Sequence, residues 1–277
     1  MKITIITPVY NNVKTIERTI VSVLEQKNNC EVEYIVIDGM STDGTIEIIN
    51  KYKDKIDVFI SERDKGIADA YNKGIMHATG ELIGIVAADD RLVPGVLNKL
   101  TQNYDGISDI VVGKSLIDAD PQINRLKISK IEYELDYLKY AMFLPHPSMF
   151  IKKTAYERLG LYSLEYKCAM DHELVLRYYQ NKASFQFVNL YINIFSAYGG
   201  ISTTQIELGK KEDLTIAVKY GISEDEWYRV RNNEKKVTLK QIFKNLLLKL
   251  MPNSLKDVIF VKMGSHILKE SVDTIYL

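Results

Sequence analysis

Cysteine is almost missing from this sequence: Cys30 and Cys168 are all that its 277 residues contain. With no C-x-x-C pair, neither a disulfide scaffold nor a structural zinc site is expected. Neither sign of charge is in excess, 36 Lys and Arg standing against 36 Asp and Glu. That balance removes the global electrostatic case for nucleic acid as a partner. No window approaches the roughly 18 consecutive apolar residues of a membrane span. No G-x-G-x-x-G follows the first strand-like segment and no P-loop is present, which argues against dinucleotide and ATP binding. Internal repeats and low-complexity stretches are absent. The opening Met1-Lys-Ile-Thr-Ile-Ile-Thr7 runs straight into a strand pattern without the charged and apolar regions of a signal peptide, so the expected location is the cytoplasm.

What the chain does have is ample apolar content, 46% hydrophobic residues, with an ordinary 26% charged. Its length fits one large domain or a domain with an appendage. The organising stretch is Gly80-Glu-Leu-Ile-Gly-Ile-Val-Ala-Ala-Asp89-Asp90, an apolar run that stops at two adjacent carboxylates. Such a run reads as a strand buried on both faces. In an open α/β sheet ligands sit at the carboxyl ends of the strands. The pair is therefore a candidate to hold a divalent metal and part of a phosphorylated ligand. The competing reading is a helix N-cap, since Arg91-Leu-Val-Pro94 leads toward another helix, but two acids are more than one cap needs.

Around this stretch, strand and helix alternate four times. Strands are expected over Lys2–Thr7, Tyr34–Ile37, Asp57–Ile60 and the acid-tipped run, with helices over about Val13–Glu25, Ile46–Tyr52 and Ile67–His77. Asn11-Asn12 and Ser41-Thr-Asp43 are candidate caps. Short links between alternating elements predict an α/β fold, a mainly parallel sheet flanked by helices. Asp38, the Arg63-Asp64 loop and Asp89-Asp90 then share one rim. Beyond about residue 105 the pattern changes, to a strand over Asp109–Leu116 with Asn124–Ser129 as a hairpin partner, helices over Glu132–Tyr140 and Lys153–Leu159, a buried helix over Asp171–Gln180, one or two strands over Phe185–Ala197, and helices over Gln205–Tyr220 and Ser223–Arg231.

Pro8-Val-Tyr10-Asn-Asn, Ile37-Asp38-Gly-Met-Ser-Thr-Asp43-Gly-Thr45, Ser61-Glu-Arg-Asp64-Lys-Gly-Ile-Ala-Asp69-Ala-Tyr-Asn72-Lys-Gly74 and Ala88-Asp89-Asp90 resemble family 2 glycosyltransferases. His146-Pro-Ser-Met-Phe150 and Ala169-Met-Asp171-His-Glu-Leu-Val-Leu-Arg177 resemble the acceptor half of the same family. The resemblance spans about residues 1–202, with six motifs in the family's order. It is similar in particular to bacterial enzymes building O-antigen, capsule and exopolysaccharide units. It implies a GT-A fold over 1–202, with a nucleotide-sugar half to about 105, an acceptor half over 106–202 and a C-terminal helical region over 203–277. It also implies a hexose or N-acetylhexosamine passed with inversion from a UDP-sugar to a saccharide or lipid-diphosphate-linked acceptor.

By that resemblance Asp90 is the metal ligand, Asp89 lies by the ribose or metal, and Asp38 meets the uracil and ribose. Pro8 and Tyr10 fit the base pocket, although Tyr10 suits plain packing equally well. Asp69 and Asn72 share one helix face and are assigned to the donor side, and a solvated face is the alternative. Arg63, Lys65 and Lys73 are left as surface lysines and arginine or phosphate contacts. The implied cofactor is Mg2+ or Mn2+, because a hard cation on carboxylate oxygens stabilises a diphosphate leaving group. An inverting transfer also needs a general base within reach of the acceptor hydroxyl. Asp171 matches the family's base position; an N-cap role, or His172 or Glu173 as the base, stay open. His146 either faces the diphosphate or acceptor or is a packed histidine. Gly199-Gly200 resembles a loop that closes over donor, or is a hinge. A catalytically inactive nucleotide-sugar-binding partner subunit is the rival function, disfavoured by the presence of both Asp90 and Asp171.

From Lys235 to Lys256 there are six lysines and no acid, with Leu239, Ile242, Phe243, Leu246 and Leu250 marking an apolar side. Val237 and Leu247 belong to the same apolar side, with Lys236, Lys240 and Lys244 on another, and this basic amphipathic pattern suits the cytoplasmic surface of an anionic inner membrane, where a lipid-linked acceptor would lie. The alternative is a helical pair packed on the catalytic domain or on a second subunit of a homo-oligomer. Liposome flotation decides between them: the full chain is expected to float with anionic vesicles and a chain ending at Asn233 to stay at the bottom, and equal partitioning would defeat the membrane reading.

Overall fold

A computed structural model describes residues 1–120, 125–128, 134–196 and 204–233. Gly199-Gly200 and the basic stretch from Lys235 lie outside the described residues. Two units are distinguished, Met1–Gly221 and Ile222–Leu277. The second contributes to the described residues one helix, α8 (Glu224–Asn233), acidic in its first turn and ending near Arg231, the order that complements the helix dipole.

The first unit begins with the expected alternation: β1 (Ile3–Val9), α1 (Ile16–Leu24), β2 (Val32–Asp38), α2 (Thr45–Asn50), β3 (Val58–Ser61), α3 (Ile67–His77) and β4 (Leu82–Ile85). Next come a two-residue strand β5 (Arg91–Leu92), α4 (Val96–Asn103), β6 (Ile110–Asp120), β7 (Arg125–Ile128), β8 (Met149–Lys152), α5 (Lys153–Leu159), α6 (Met170–Gln180), β9 (Phe185–Ser196) and α7 (Ile206–Lys219). The strands form one sheet in the order β3-β2-β1-β4-β8-β6-β9-β5, with β7 paired to β6. β3, β2, β1 and β4 are mutually parallel. Beyond β4 the sheet is mixed: β8 runs antiparallel to both β4 and β6, and β9 parallel to β6. Where a helix is expected over Glu132–Tyr140, the described residues form a short 3-10 helix, Leu135–Lys139.

Every residue of β1 and β2 is buried, as near-continuous Ile and Val runs require when helices cover both faces. Side-chain alternation splits them. Ile3, Ile5, Tyr34 and Val36 pack with α1 and α4, while Ile6, Ile35 and Ile37 pack with α3 and α6. Full burial of each such side chain contributes about 1.5–3 kcal/mol. Pro8 sits inside β1 rather than ending it. Pairing with β4 stops at Ile6–Ile85, so the missing Pro8 N–H faces no ladder partner.

At the N-terminal rim of the sheet a buried acid is fully accommodated. Glu33 accepts from Thr4 Oγ1 at 2.6 Å, Thr79 N–H at 2.7 Å, Thr79 Oγ1 at 2.5 Å and Lys2 Nζ at 3.1 Å. Burial pushes its pKa up, but these donors outweigh burial and bring it down to about 2.

The first unit reaches Gly221, past the expected boundary at 202, because α7 belongs to it: Ile216 lies in the core shared with α6. Gly74 sits where α3 crosses β1, and a Cβ there would overlap Ile6 Cγ2. In an open helix Gly→Ala gains about 1 kcal/mol. Here overpacking, which costs about 1–3 kcal/mol, is the larger effect. Gly74→Ala is therefore expected to destabilise the chain by about 1–2 kcal/mol in urea titration. Equal or greater stability would mean α3 and β1 do not touch at this point.

Candidate active site

The three parallel strands β1, β2 and β4 deliver their C-terminal loops to one rim. The loops after β1 and β2 are zipped together. Asn11 N–H donates to Ser41 Oγ at 2.8 Å, Thr42 N–H to Asn11 Oδ1 at 2.8 Å, Asn12 N–H to Thr45 Oγ1 at 2.8 Å and Val13 N–H to Asp43 Oδ2 at 3.0 Å. Asn11 and Ser41 thus bond between the loops, whereas Asp43 does both: Oδ2 crosses to Val13 and Oδ1 serves the start of α2 as a cap would, accepting from Thr45 N–H at 3.0 Å and Thr45 Oγ1 at 2.5 Å. Asn11 and Met40 adopt left-handed φ of 47° and 65°, strain that the cross-links hold in place. Tyr10 projects from this edge, 65% exposed.

The acidic turn after β4 is held by α1. Thr15 and Thr19 hydroxyls donate to the Ala88 carbonyl, each at 2.9 Å, Thr19 also to the Asp90 carbonyl at 2.7 Å, and Arg18 Nη2 to the Asp89 carbonyl at 2.9 Å. Asp90 is 1% exposed. Its Oδ1 accepts from Ser196 N–H at the end of β9, 2.8 Å away. Its Oδ2 has no hydrogen-bond partner among the described residues. Burial pushes the Asp90 carboxyl up to about 7, opposed by the Ser196 N–H and Arg18 and reinforced by Asp89. Burial likewise raises Asp89.

Across the rim, Asp171 lies one residue inside α6, after N-cap Ala169 and Met170, and accepts from His172 N–H at 2.8 Å. Tyr71 of α3 is buried within electrostatic reach of both Asp171 and the acidic turn. Tyr71 stacks on His146 at 5.7 Å and 17° and meets Tyr162 edge-on at 5.1 Å. Its hydroxyl pKa is raised by burial first, then by the charges of Asp171, Asp90 and Asp89. Both carboxylate groups therefore bear on one phenol. It lies within the Ser61–Gly74 motif, whose resemblance assigned roles to Asp69 and Asn72 and none to Tyr71.

The profile described as Glycosyl transferase family 2 matches residues 4–160, more than half of the chain. This chain belongs to glycosyltransferase family 2. An uncharacterized glycosyltransferase of Mycobacterium tuberculosis is 28% identical over 179 residues, covering 63% of this chain and 68% of that one. A PGL/p-HBAD biosynthesis glycosyltransferase of the same species is 24% identical over 199 residues, covering 69% and 76%. Among solved structures, TarS 1-349 of S. aureus in complex with UDP-GlcNAc superposes with a TM-score of 0.60 at 17% identity, covering 87% of this chain and 77% of that one. A mannosyltransferase of Pyrobaculum calidifontis in complex with GDP-Man and Mn2+ gives 0.61 at 18% identity, covering 96% and 80%. The fold is GT-A, as expected.

Several residues expected at this glycosyltransferase's site are occupied elsewhere. His172 is fully buried, with Nδ1 2.7 Å from Asp213 Oδ1 and Nε2 2.6 Å from the Leu138 carbonyl, so neither nitrogen is free to act as a base. Glu173 is 2% exposed and accepts from Arg177 Nε at 3.1 Å and Tyr220 hydroxyl at 2.9 Å. A buried, paired carboxylate of this kind is structural. Asn72 spends its amide on the Tyr162 backbone, donating to the carbonyl at 2.8 Å and accepting from the N–H at 2.9 Å. Asp69 accepts from Lys65 N–H at 3.0 Å at the start of α3. Lys73 is surrounded by Asp64 at 2.7 Å, Glu62 at 2.9 Å and Asp69 at 3.4 Å, which leaves it no charge to spare for phosphate. Pro8 is buried in β1, and Asp38 is fully buried, accepting from Ser41 N–H at 3.1 Å and Ser61 Oγ at 2.6 Å. Both shape the loops from within. His146 is partly buried, its Nε2 2.7 Å from the Tyr162 hydroxyl, and burial lowers its pKa against the pull of Asp171. At neutral pH it is uncharged and brings no cation to a diphosphate.

Conversely Thr15, Arg18, Thr19, Tyr162 and Ser196 belong to the site without any motif marking them, and Tyr71 falls inside the Ser61–Gly74 motif without being singled out there. A divalent cation fits the acidic turn: a buried carboxylate oxygen without a donor, beside a second raised carboxylate, is the donor set that Mg2+ or Mn2+ completes with substrate phosphates.

The raised Asp90 carboxyl has a consequence for stability. An unfolded aspartate ionises near pH 4, at about 3.9, whereas folded Asp90 keeps its proton to about 7. Between those values the folded state binds more protons, so stability falls as pH rises, with the full penalty above about pH 7. In EDTA, Asp90→Asn is therefore expected to be more stable than the parent by about 1–3 kcal/mol at pH 8, by less at pH 5, and not at all below about pH 4. Urea titration at the three pH values checks it, and a pH-independent difference would refute the burial of this charge.

Proposed function

We propose that this glycosyltransferase transfers a hexose or N-acetylhexosamine, with inversion, from a UDP-sugar to a saccharide on a lipid diphosphate during synthesis of a bacterial surface polysaccharide. One observation carries the reading: Asp90, whose Oδ2 has no hydrogen-bond partner among the described residues, and Asp171 both lie close enough for their charges to act on the Tyr71 hydroxyl. That is the division of labour a single displacement needs, a group to neutralise the leaving diphosphate and a base for the incoming hydroxyl. Asp90 and Asp89 would hold the divalent cation, whose charge offsets that of the departing diphosphate. Exposed Tyr10 offers a face on which the base of the nucleotide can stack. Asp171 takes the acceptor proton as the hydroxyl attacks the anomeric carbon. The stacked Tyr71 and His146 rings would line the space beside the reacting centre.

The choice of uridine draws support from the TarS complex with UDP-GlcNAc, and the mannosyltransferase complex with GDP-Man supplies the competing nucleotide. The polysaccharide assignment draws on the resemblance to enzymes of O-antigen and capsule synthesis. A peripheral place at the cytoplasmic membrane face follows from the lipid-linked acceptor; no described helix is long and apolar enough to cross a membrane.

Turnover is tested with UDP-glucose, UDP-galactose, UDP-N-acetylglucosamine and GDP-mannose, with and without a short-chain polyprenyl diphosphate N-acetylglucosamine acceptor. Acceptor-dependent UDP release is expected from one uridine donor, and GDP release in its place would overturn the uridine reading. Asp171→Asn is expected to lower kcat by about 10²–10⁴-fold while UDP affinity by calorimetry stays within about twofold. Near-normal turnover in that variant would remove Asp171 from the role of base.

A further inference from the structure

Helix α6 carries three titratable residues in succession, and α7 grips the chain on either side of the first of them. Glu212 accepts from three consecutive backbone N–H groups, those of Lys167 at 2.9 Å, Cys168 at 2.8 Å and Ala169 at 2.9 Å. Successive N–H groups converging on one anion form a nest, and here the chain itself supplies the anion. The next residue, Asp213, takes His172 Nδ1 at 2.7 Å, while the far side of the same ring meets the Leu138 carbonyl at 2.6 Å. Asp171 lies between the last N–H held by Glu212 and the ring held by Asp213.

These contacts differ from an ordinary helix cap. A cap serves the N–H groups inside the first turn, whereas Glu212 serves the three residues that lead into α6, up to its N-cap Ala169. Holding the entry and the third helical residue together fixes the rotation of α6 about its axis, and with it the direction in which Asp171 points. The carboxylate left between the two grips is the one whose charge falls on Tyr71, His146 and Tyr162. α7 itself is anchored by Ile216, fully buried in the core that contains Leu174 of α6.

We propose that Glu212 and Asp213 are positioning residues for the transfer step, setting the direction of the Asp171 carboxylate toward the acceptor hydroxyl. This rests on Asp171 being the general base. Misplacing a reacting group by about 1 Å costs up to about 10²-fold in rate, so the loss should fall on kcat. The bonds of both acids go to the entry and first turn of α6 and none, among the described residues, to the zipped loops after β1 and β2, so donor binding should not register their loss.

In the full chain, Glu212→Ala is expected to lower kcat by about 10–100-fold while KM for the active UDP-sugar and the affinity for UDP change less than about twofold. Glu212→Gln retains one acceptor oxygen, preserves the fold if alanine does not, and should fall between. A double-mutant cycle separates this from the reading beneath it. In the Asp171→Asn background Glu212→Ala should cost nothing further, because no base remains to be misplaced. An undiminished loss there, a parallel fall in donor affinity, or a Glu212→Ala enzyme within twofold of the parent in kcat, each overturns the positioning role. An inactive Asp171→Asn beside a fully active Glu212→Ala would reject this inference alone. An active Asp171→Asn would reject the base assignment first.

Discussion

The hydrogen bond from Ser196 N–H to Asp90 joins the acidic turn after β4 to the end of β9, and it brings the two halves of the sheet to one site. It is also too little for the charge it serves. Glu33, on the opposite rim, is also buried, but four donors surround it and its pKa falls to about 2. Asp90 has one donor among the described residues, a like charge beside it, and a carboxyl pushed up to about 7. The same fold thus drives two buried carboxylates in opposite directions, and the difference is the number of hydrogen bonds, because desolvation acts upward on both. An acid kept short of donors is costly to the apo fold and useful to a cation, which is the stability that active sites commonly give up for function.

The second constraint is geometric. A base must point as well as titrate, and Asp171 sits near the beginning of a helix whose orientation is not determined by its own sequence. Leu174, Val175, Leu176 and Tyr178 are all buried, so α6 is enclosed on most sides and presents no single apolar stripe to define its rotation. Directional contacts do what the hydrophobic ones cannot. The Glu212 nest, the His172 bridge and the buried Glu173–Arg177 pair together leave one carboxylate of the helix's first turn unclaimed by a side chain.

Much of the framework was legible in the chain. β1 to β4 and α3 fall where the period of apolar residues and the turn residues placed them: β1, β2 and β4 are buried throughout and written as near-continuous apolar runs, while β3 is part-exposed and α3 carries a helical period. The antiparallel entry of β8 was not legible. Met149–Lys152 is a short apolar segment, and its neighbours β4 and β6 are chosen by long-range pairing that leaves no local pattern.

The linear order of residues determined that acids would end the strands on one rim, that Asp89-Asp90 and Asp171 would carry the chemistry if the family pattern held, and that the fold would be α/β. Those facts are local: a run, a stop and a motif are all written within a few residues. Which acid or histidine stays available was decided only in three dimensions. Asp171, His172 and Glu173 are neighbours of comparable type. His172 and Glu173 are claimed by Asp213, Leu138, Arg177 and Tyr220, up to 47 residues away along the chain. Asn72 is claimed by Tyr162 and Asp38 by Ser61 in the same way. Hydrogen-bond partners at such separation follow from packing, and packing is a property of the folded chain alone.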